Sequence, residues 1–241
     1  MALIDARFMD VRGHELLMPW TDAASGFPLE QSEVIRPFPV RPGRRVAPGW
    51  WWSATDERLV HYGSGAMRTQ VMLLDHDPDV VALACRPVEL VWREGGRVVG
   101  HAPQLMARMA DGSGLLLDCV GREGPSGRLT ARARVVAAAA EAVGWRYRLA
   151  GPADPVLVAN VRWLAGYRHP RYLTAERLPR LLAAFARPQS AMEGVREVGD
   201  PIAVWPMLFH ALWSGVLWAR LDVPLHERVV VSAPQQGRRA A

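Results

Sequence analysis

Between Asp79 and Val120 the chain reads as a succession of short apolar runs: Val80–Cys85, Val88–Trp92, Arg97–His101, Leu105–Met109 and Leu115–Val120. Each has the length of a strand and is too short to stand as a helix. Glu94-Gly95-Gly96 and Asp111-Gly112-Ser113-Gly114 lie between runs and supply the glycines that tight hairpin turns need. Flanking stretches are helical in pattern. Arg68–Leu74 is apolar at helical spacing, and Arg128–Val143 is an alanine-rich run stopped by Gly144. With a further short strand at Arg146–Leu149, these elements predict a compact α/β domain over residues 47–151.

Upstream, Pro19, Pro28, Pro37, Pro39 and Pro42 interrupt residues 1–46, which are expected to form a proline- and arginine-rich arm. Trp50-Trp51-Trp52 follows, then a short strand at Arg58–Tyr62. Downstream, Gly151-Pro152-Ala153-Asp154-Pro155 marks a boundary. Residues 152–234 read as helices at Val156–Tyr167, Ala175–Phe185 and Pro201–Leu212, with Thr174 as an N-cap. Strand-like runs at Val216–Leu221 and Arg228–Ser232 complete the segment. Three helices followed by a β-hairpin is the plan of a winged helix. Residues 235–241 are expected to be a disordered tail.

The 241 residues suit one large domain or two small ones. All 29 of the Lys+Arg residues are arginine. The chain therefore has no P-loop lysine, no Schiff-base lysine and no kinase lysine. Arginine is no free substitute, being a planar fork that stays protonated. The formal net charge of +5 fits a polyanionic partner such as nucleic acid, and equally an arginine-rich solvated surface set by codon usage. Cys85 and Cys119 have no Cys or His at zinc-ligand spacing and read as buried thiols of a reducing cytosol. Asp5 and Asp10 interrupt any signal-peptide core, and the long apolar stretch Ile202–Leu221 contains Pro206, His210 and Ser214. No membrane span is expected, and a cytoplasmic protein is.

An ordered set of segments carries a resemblance. It comprises Gly49–Thr55 (GWWWSAT), Leu73–Val80 (LLDHDPDV), Arg86-Pro87, and His101–Arg108 ahead of Asp111-Gly112. Gly144–Leu149 (GWRYRL), Asn160–Pro170 (NVRWLAGYRHP) and Leu208–Trp213 (LFHALW) continue it. Together they resemble the TnsA-like endonuclease subunit of heteromeric transposases, in its actinobacterial form, over about Phe38 to Leu225. The resemblance implies a restriction-endonuclease-like N-terminal domain of the PD-(D/E)xK type, with a mixed sheet, and a mainly helical winged-helix C-terminal domain. It also implies DNA as a partner, with an integrase-type transposase subunit, an AAA-type ATPase or an intact nuclease paralogue. In that family Mg²⁺ held by carboxylates activates water, and a lysine assists.

Carried over residue by residue, the site is degenerate. The helix glutamate of the family falls on Met67 and the metal-binding aspartate on Gln104. On the next strand the carboxylate or amide falls on Asp118, and the basic residue on Val120. Asp118 alone is a poor Mg²⁺ site, so the expectation is a pseudonuclease that needs no cofactor and acts by binding. As a strand-end residue, Asp118 reads as a cap on the Gly121 turn. Two alternatives stay open. One is an active Mg²⁺-dependent endonuclease whose site has migrated, using Asp118 with Glu89 or Asp111 and Arg122. The other is a regulatory or structural protein recruited from the same fold.

His101 reads as a structural strand-end histidine or as a rescuing base. Asp75, Asp77 and Asp79 read as a solvated turn. Period-two alternation buries at least one ring of Trp50–Trp52 and leaves base stacking open for the others. The candidates for phosphate contact are Arg41, Arg44 and Arg45 in the arm, and Arg162, Arg168, Arg171, Arg177 and Arg180 in the C-terminal domain.

Overall fold

The computed structural model describes residues 3–38 and 48–234. Arg41, Arg44 and Arg45, and the tail at 235–241, lie outside the described residues. The chain divides into two compact units, Met1–Pro152 and Ala153–Ala241.

The first unit begins earlier than the proline spacing predicts. Ile4–Met9 (β1) and Glu15–Pro19 (β2) pair antiparallel, and Trp20–Gly26 forms a helix (α1). Ala6 and Phe8 alternate inward along β1 and are buried. Pro19 ends β2, and Pro28 precedes a single 3₁₀ turn at Leu29–Gln31. Prolines at element ends give up N–H groups the ladder does not need, so they do not exclude this segment from the domain.

Two four-stranded sheets organise the unit. The first has the order β2-β1-β6-β7, with Val88–Glu94 (β6) and Arg97–His101 (β7), and is antiparallel throughout. Its β6–β7 turn uses Gly95 and Gly96, both at positive φ (54° and 77°), where a side chain would be strained. The second sheet contains Val80–Cys85 (β5), Leu105–Met109 (β8), Gly114–Cys119 (β9) and Arg146–Ala150 (β10) in the order β10-β9-β8-β5. β8 runs antiparallel to β5 and β9, while β9 and β10 are parallel. That parallel pair requires a crossover, which Gly127–Glu141 (α3) provides.

Ala6, Phe8, Leu90 and Trp92 of the first sheet share one core with Met106 and Leu116 of the second and with Val136, Ala139 and Ala140 of α3. The Trp20 indole N–H donates to the Ala139 carbonyl at 2.7 Å, and its ring meets Trp145 edge-on at 5.1 Å. Gly65–His76 (α2) starts at Ser64, whose hydroxyl accepts the Met67 N–H. α2 packs against β5, β8 and β9. Its buried Met67, Val71 and Leu74 do not belong to the core that α3 shares. Helices thus cover both faces of the mixed sheet. A hairpin of Gly49–Trp52 (β3) and Leu59–Tyr62 (β4) completes the unit.

The second unit is mainly helical: Pro155–Ala165 (α4), Leu178–Ala184 (α5), Ala191–Val198 (α6) and Pro201–Trp213 (α7). α6 has no counterpart in the sequence reading. Thr174 is not an N-cap. Its carbonyl accepts from Arg177 and Leu178 in a turn that precedes α5, and Arg177 occupies the cap position. Trp218–Ala219 (β12) pairs antiparallel with Val230–Ser232 (β13), as the two predicted runs require. Gln189–Ser190 (β11) adds a third strand on the other side of β13. Asn160 on α4 is buried and holds the loop into β13. Its amide N–H groups donate to Leu221 and Val223 carbonyls at 2.8 and 2.7 Å, and its oxygen accepts the Leu225 N–H at 3.1 Å.

Candidate functional site

Asp118 is the centre of a buried polar cluster in the first unit. It lies at the end of β9 with a relative exposure of 1%. Leu116, Met106 and Tyr147 lie on its face of the sheet, by the β9–β8 and β9–β10 registers. One carboxyl oxygen, Oδ2, meets His101 Nε2 at 2.6 Å and accepts the Tyr147 hydroxyl at 2.8 Å. The other, Oδ1, accepts the Gln104 backbone N–H at 3.2 Å. His101 comes from β7 and Tyr147 from β10, so the cluster ties the two sheets together. Burial, then the charge of Asp118 and the hydrogen bond to it, push the Tyr147 hydroxyl pKa well above its ordinary value. Tyr147 therefore stays a donor. Asp118 does not cap the Gly121 turn.

Gln104 joins the cluster from the β8 side. Its side-chain oxygen accepts the Cys119 N–H at 3.2 Å, so it bridges the β8 and β9 ends. Val120 stands one residue beyond β9, its N–H bonded to the Ala150 carbonyl at 2.9 Å. Met67 is elsewhere. It is buried on α2, on the opposite face of the mixed sheet, where the Gly63 N–H lies 3.3 Å from its sulfur. Gln104, Asp118 and Val120 thus gather at one end of β9, and Met67 does not join them.

The residues of the migrated-site alternative are engaged separately. Glu89 is buried, takes Arg36 at 2.8 Å and accepts from Arg7 at 3.3 Å. Asp111 accepts both the N–H and hydroxyl of Ser113 within its own turn, at 2.8 and 2.6 Å. Arg122 is exposed in the turn after β9. Around Asp118 the donors are one carboxyl, an imidazole, a phenol and an amide. Mg²⁺ prefers several hard oxygen ligands, and this set does not suit it. Among the described residues no group of three or more His, Cys, Asp or Glu side chains is placed to hold a metal ion.

Asp75 is the residue the sequence reading missed. It was expected in a solvated turn but lies inside α2 with a relative exposure of 4%. Its carboxyl accepts the Trp51 indole N–H at 2.8 Å, the Ser53 hydroxyl at 2.6 Å, and the Thr55 N–H and hydroxyl at 3.0 and 2.9 Å. Both cysteines are free, with Cys85 buried and Cys119 half-buried. Burial pushes each thiol up to about 12, and the charge of Asp118 adds to the effect at Cys119.

In the second unit Arg162, Arg171, Arg177 and Arg180 are exposed, while Arg168 is half-buried and donates to the Ala165 carbonyl at 2.6 Å. Arg171 lies over the Tyr172 ring at 4.9 Å. α7 buries Val204, Met207, Leu208 and Leu212, and so serves as core. No helix among the described residues is long and apolar enough to cross a membrane. No protein-family model matches the chain, and no curated protein matches it.

Proposed function

We propose that this chain is a TnsA-like transposase subunit whose nuclease-type scaffold binds DNA and transposition partners without cutting. The element order supports the reading: helix α2, strands β5, β8 and β9, helix α3, then β10 parallel to β9 in a mixed sheet. A β-hairpin-like pair following helices in the second unit supports a winged helix there. One observation carries the loss of cutting. Both oxygens of Asp118, the single acidic residue at the family's chemical positions, are taken up by protein donors. A metal entering there displaces hydrogen bonds and finds no second carboxylate, so water activation has no foundation.

Binding is the remaining role. The exposed Arg162, Arg171, Arg177 and Arg180 suit phosphate contact, which positions DNA without reading its sequence. The partner proteins implied are an integrase-type subunit, an AAA-type ATPase or an intact nuclease paralogue. The test is a supercoiled-plasmid assay with Mg²⁺ or Mn²⁺, run beside a gel-shift titration. The expected result is a shifted plasmid that stays supercoiled. Metal-dependent nicking that Asp118→Ala abolishes overturns the proposal in favour of an active endonuclease. Absence of any shift points to the recruited regulatory role.

A further inference from the structure

The outer face of the β3–β4 hairpin carries a ring system that the proposed function does not use. Trp50 and His61 are cross-strand partners, and their rings stack with centroids 4.6 Å apart at an interplanar angle of 26°. Phe38 meets His61 edge-on at 5.3 Å, and the Arg86 guanidinium lies over Phe38 at 3.8 Å. The system is built in. Gly63 leaves the space Phe38 occupies, since a Cβ there would stand 2.4 Å from the Phe38 ring. Arg86 sits at φ 44°, an unfavourable backbone conformation for a residue with a side chain. Its Nη1 donates to the Arg36 carbonyl at 2.8 Å, while its buried Nε has no acceptor among the described residues. Trp51, one residue on, turns inward to Asp75, whereas Trp50 is 61% exposed.

We propose that Trp50, stacked on His61 and backed through it by Phe38 and Arg86, is a stacking platform for an unpaired base of single-stranded DNA. A flat indole with one face already packed loses little freedom when a base covers the other. The nearby fixed charge is cationic, which disfavours a cationic ligand and favours an aromatic ring bearing a phosphate. Burial and the neighbouring Arg86 hold the His61 pKa below its ordinary value, so the ring beneath Trp50 stays neutral around pH 7. A duplex interior hides its base faces, so an exposed ring of this kind selects strands that are already open.

This inference rests on the DNA-binding reading above, and the experiment separates the two. Fluorescence anisotropy is measured with labelled oligothymidine, oligouridine and a blunt duplex of equal length. Trp50→Ala is expected to weaken oligothymidine binding about tenfold and leave duplex binding unchanged, with Trp50→Phe restoring most of the loss. Circular dichroism checks that each variant keeps its fold. Unchanged oligothymidine affinity in Trp50→Ala, or an equal loss on strand and duplex, overturns the platform. Tighter binding of oligouridine than oligothymidine overturns DNA as the source of the base. A wild-type chain that binds duplex but not the strand removes this inference alone. One that binds neither removes the DNA-binding reading as well.

Discussion

Asp75 and Asp118 are both buried aspartates of the first unit, yet they are built differently. Asp75 gathers its donors from one short segment, Trp51 to Thr55 at the end of β3, and clamps that segment to the C-terminal half of α2. Asp118 gathers His101 from β7, Tyr147 from β10 and the Gln104 N–H from the approach to β8. The first is a local clamp and the second a junction between sheets. Only the second stands at a position where the resemblance expects chemistry. Its partners take up both carboxyl oxygens. The contrast teaches that two equally buried carboxyls of one unit can do different structural work, one fastening a single segment to a helix and the other joining two sheets.

The largest effect is expected at Asp75. Asp75→Ala strands an indole N–H, two hydroxyls and backbone N–H groups, and should cost ~3 kcal/mol. Thermal melting should fall by roughly 6–12 °C. A change near zero would mean that the segment re-pairs with water and that the two aspartates are not comparable. Asp118→Ala should cost less, ~2 kcal/mol, because among the described residues its carboxyl accepts three hydrogen bonds where that of Asp75 accepts five. If Asp118→Ala instead stabilises the fold, the carboxyl is held at a cost, as functional residues often are. Tyr147→Phe should cost about 1 kcal/mol, the ordinary net value of one hydrogen bond. It isolates one spoke of the junction, and urea titration reads it.

Smaller still is the effect of the thiols. Cys85 and Cys119 stand at about 12 in the fold against an ordinary 9.0. A raised folded value contributes stability below pH 9 that is lost as pH rises from about 9 toward 12, where unfolding frees the thiolates. At pH 8 native alkylation by iodoacetamide should be slow and should speed up only in denaturant. Rapid native labelling of Cys119 would show that the Asp118 region is open.

Much of the strand pattern from Val80 onward was legible because its turns carry glycines at fixed places. Gly95, Gly96, Gly112 and Gly144 all take positive φ, and the strands between them follow almost residue for residue. β1 and β2 were not legible, since Asp5, Arg7 and the prolines hide a strand whose inward positions are only Ala6 and Phe8. α6 carried a readable sign, the reciprocal Ser190–Glu193 capping box. Its eight residues are too few for periodicity to reveal. The grouping of Gln104 with Asp118 came from the resemblance and not from the strand pattern. The roles of His101, Tyr147 and Asp75 were not legible, because each depends on a partner 17 or more residues away. The opposite-face placement of Met67 was equally hidden, since it turns on which side of the sheet α2 covers.

The most direct test of the structural role of Asp118 is titration calorimetry with Mn²⁺ on the wild-type chain and on Asp118→Asn. The wild type should show no saturable uptake, and the variant should match it. A one-to-one binding isotherm that Asp118→Asn abolishes would contradict the account, making the buried carboxyl a metal ligand.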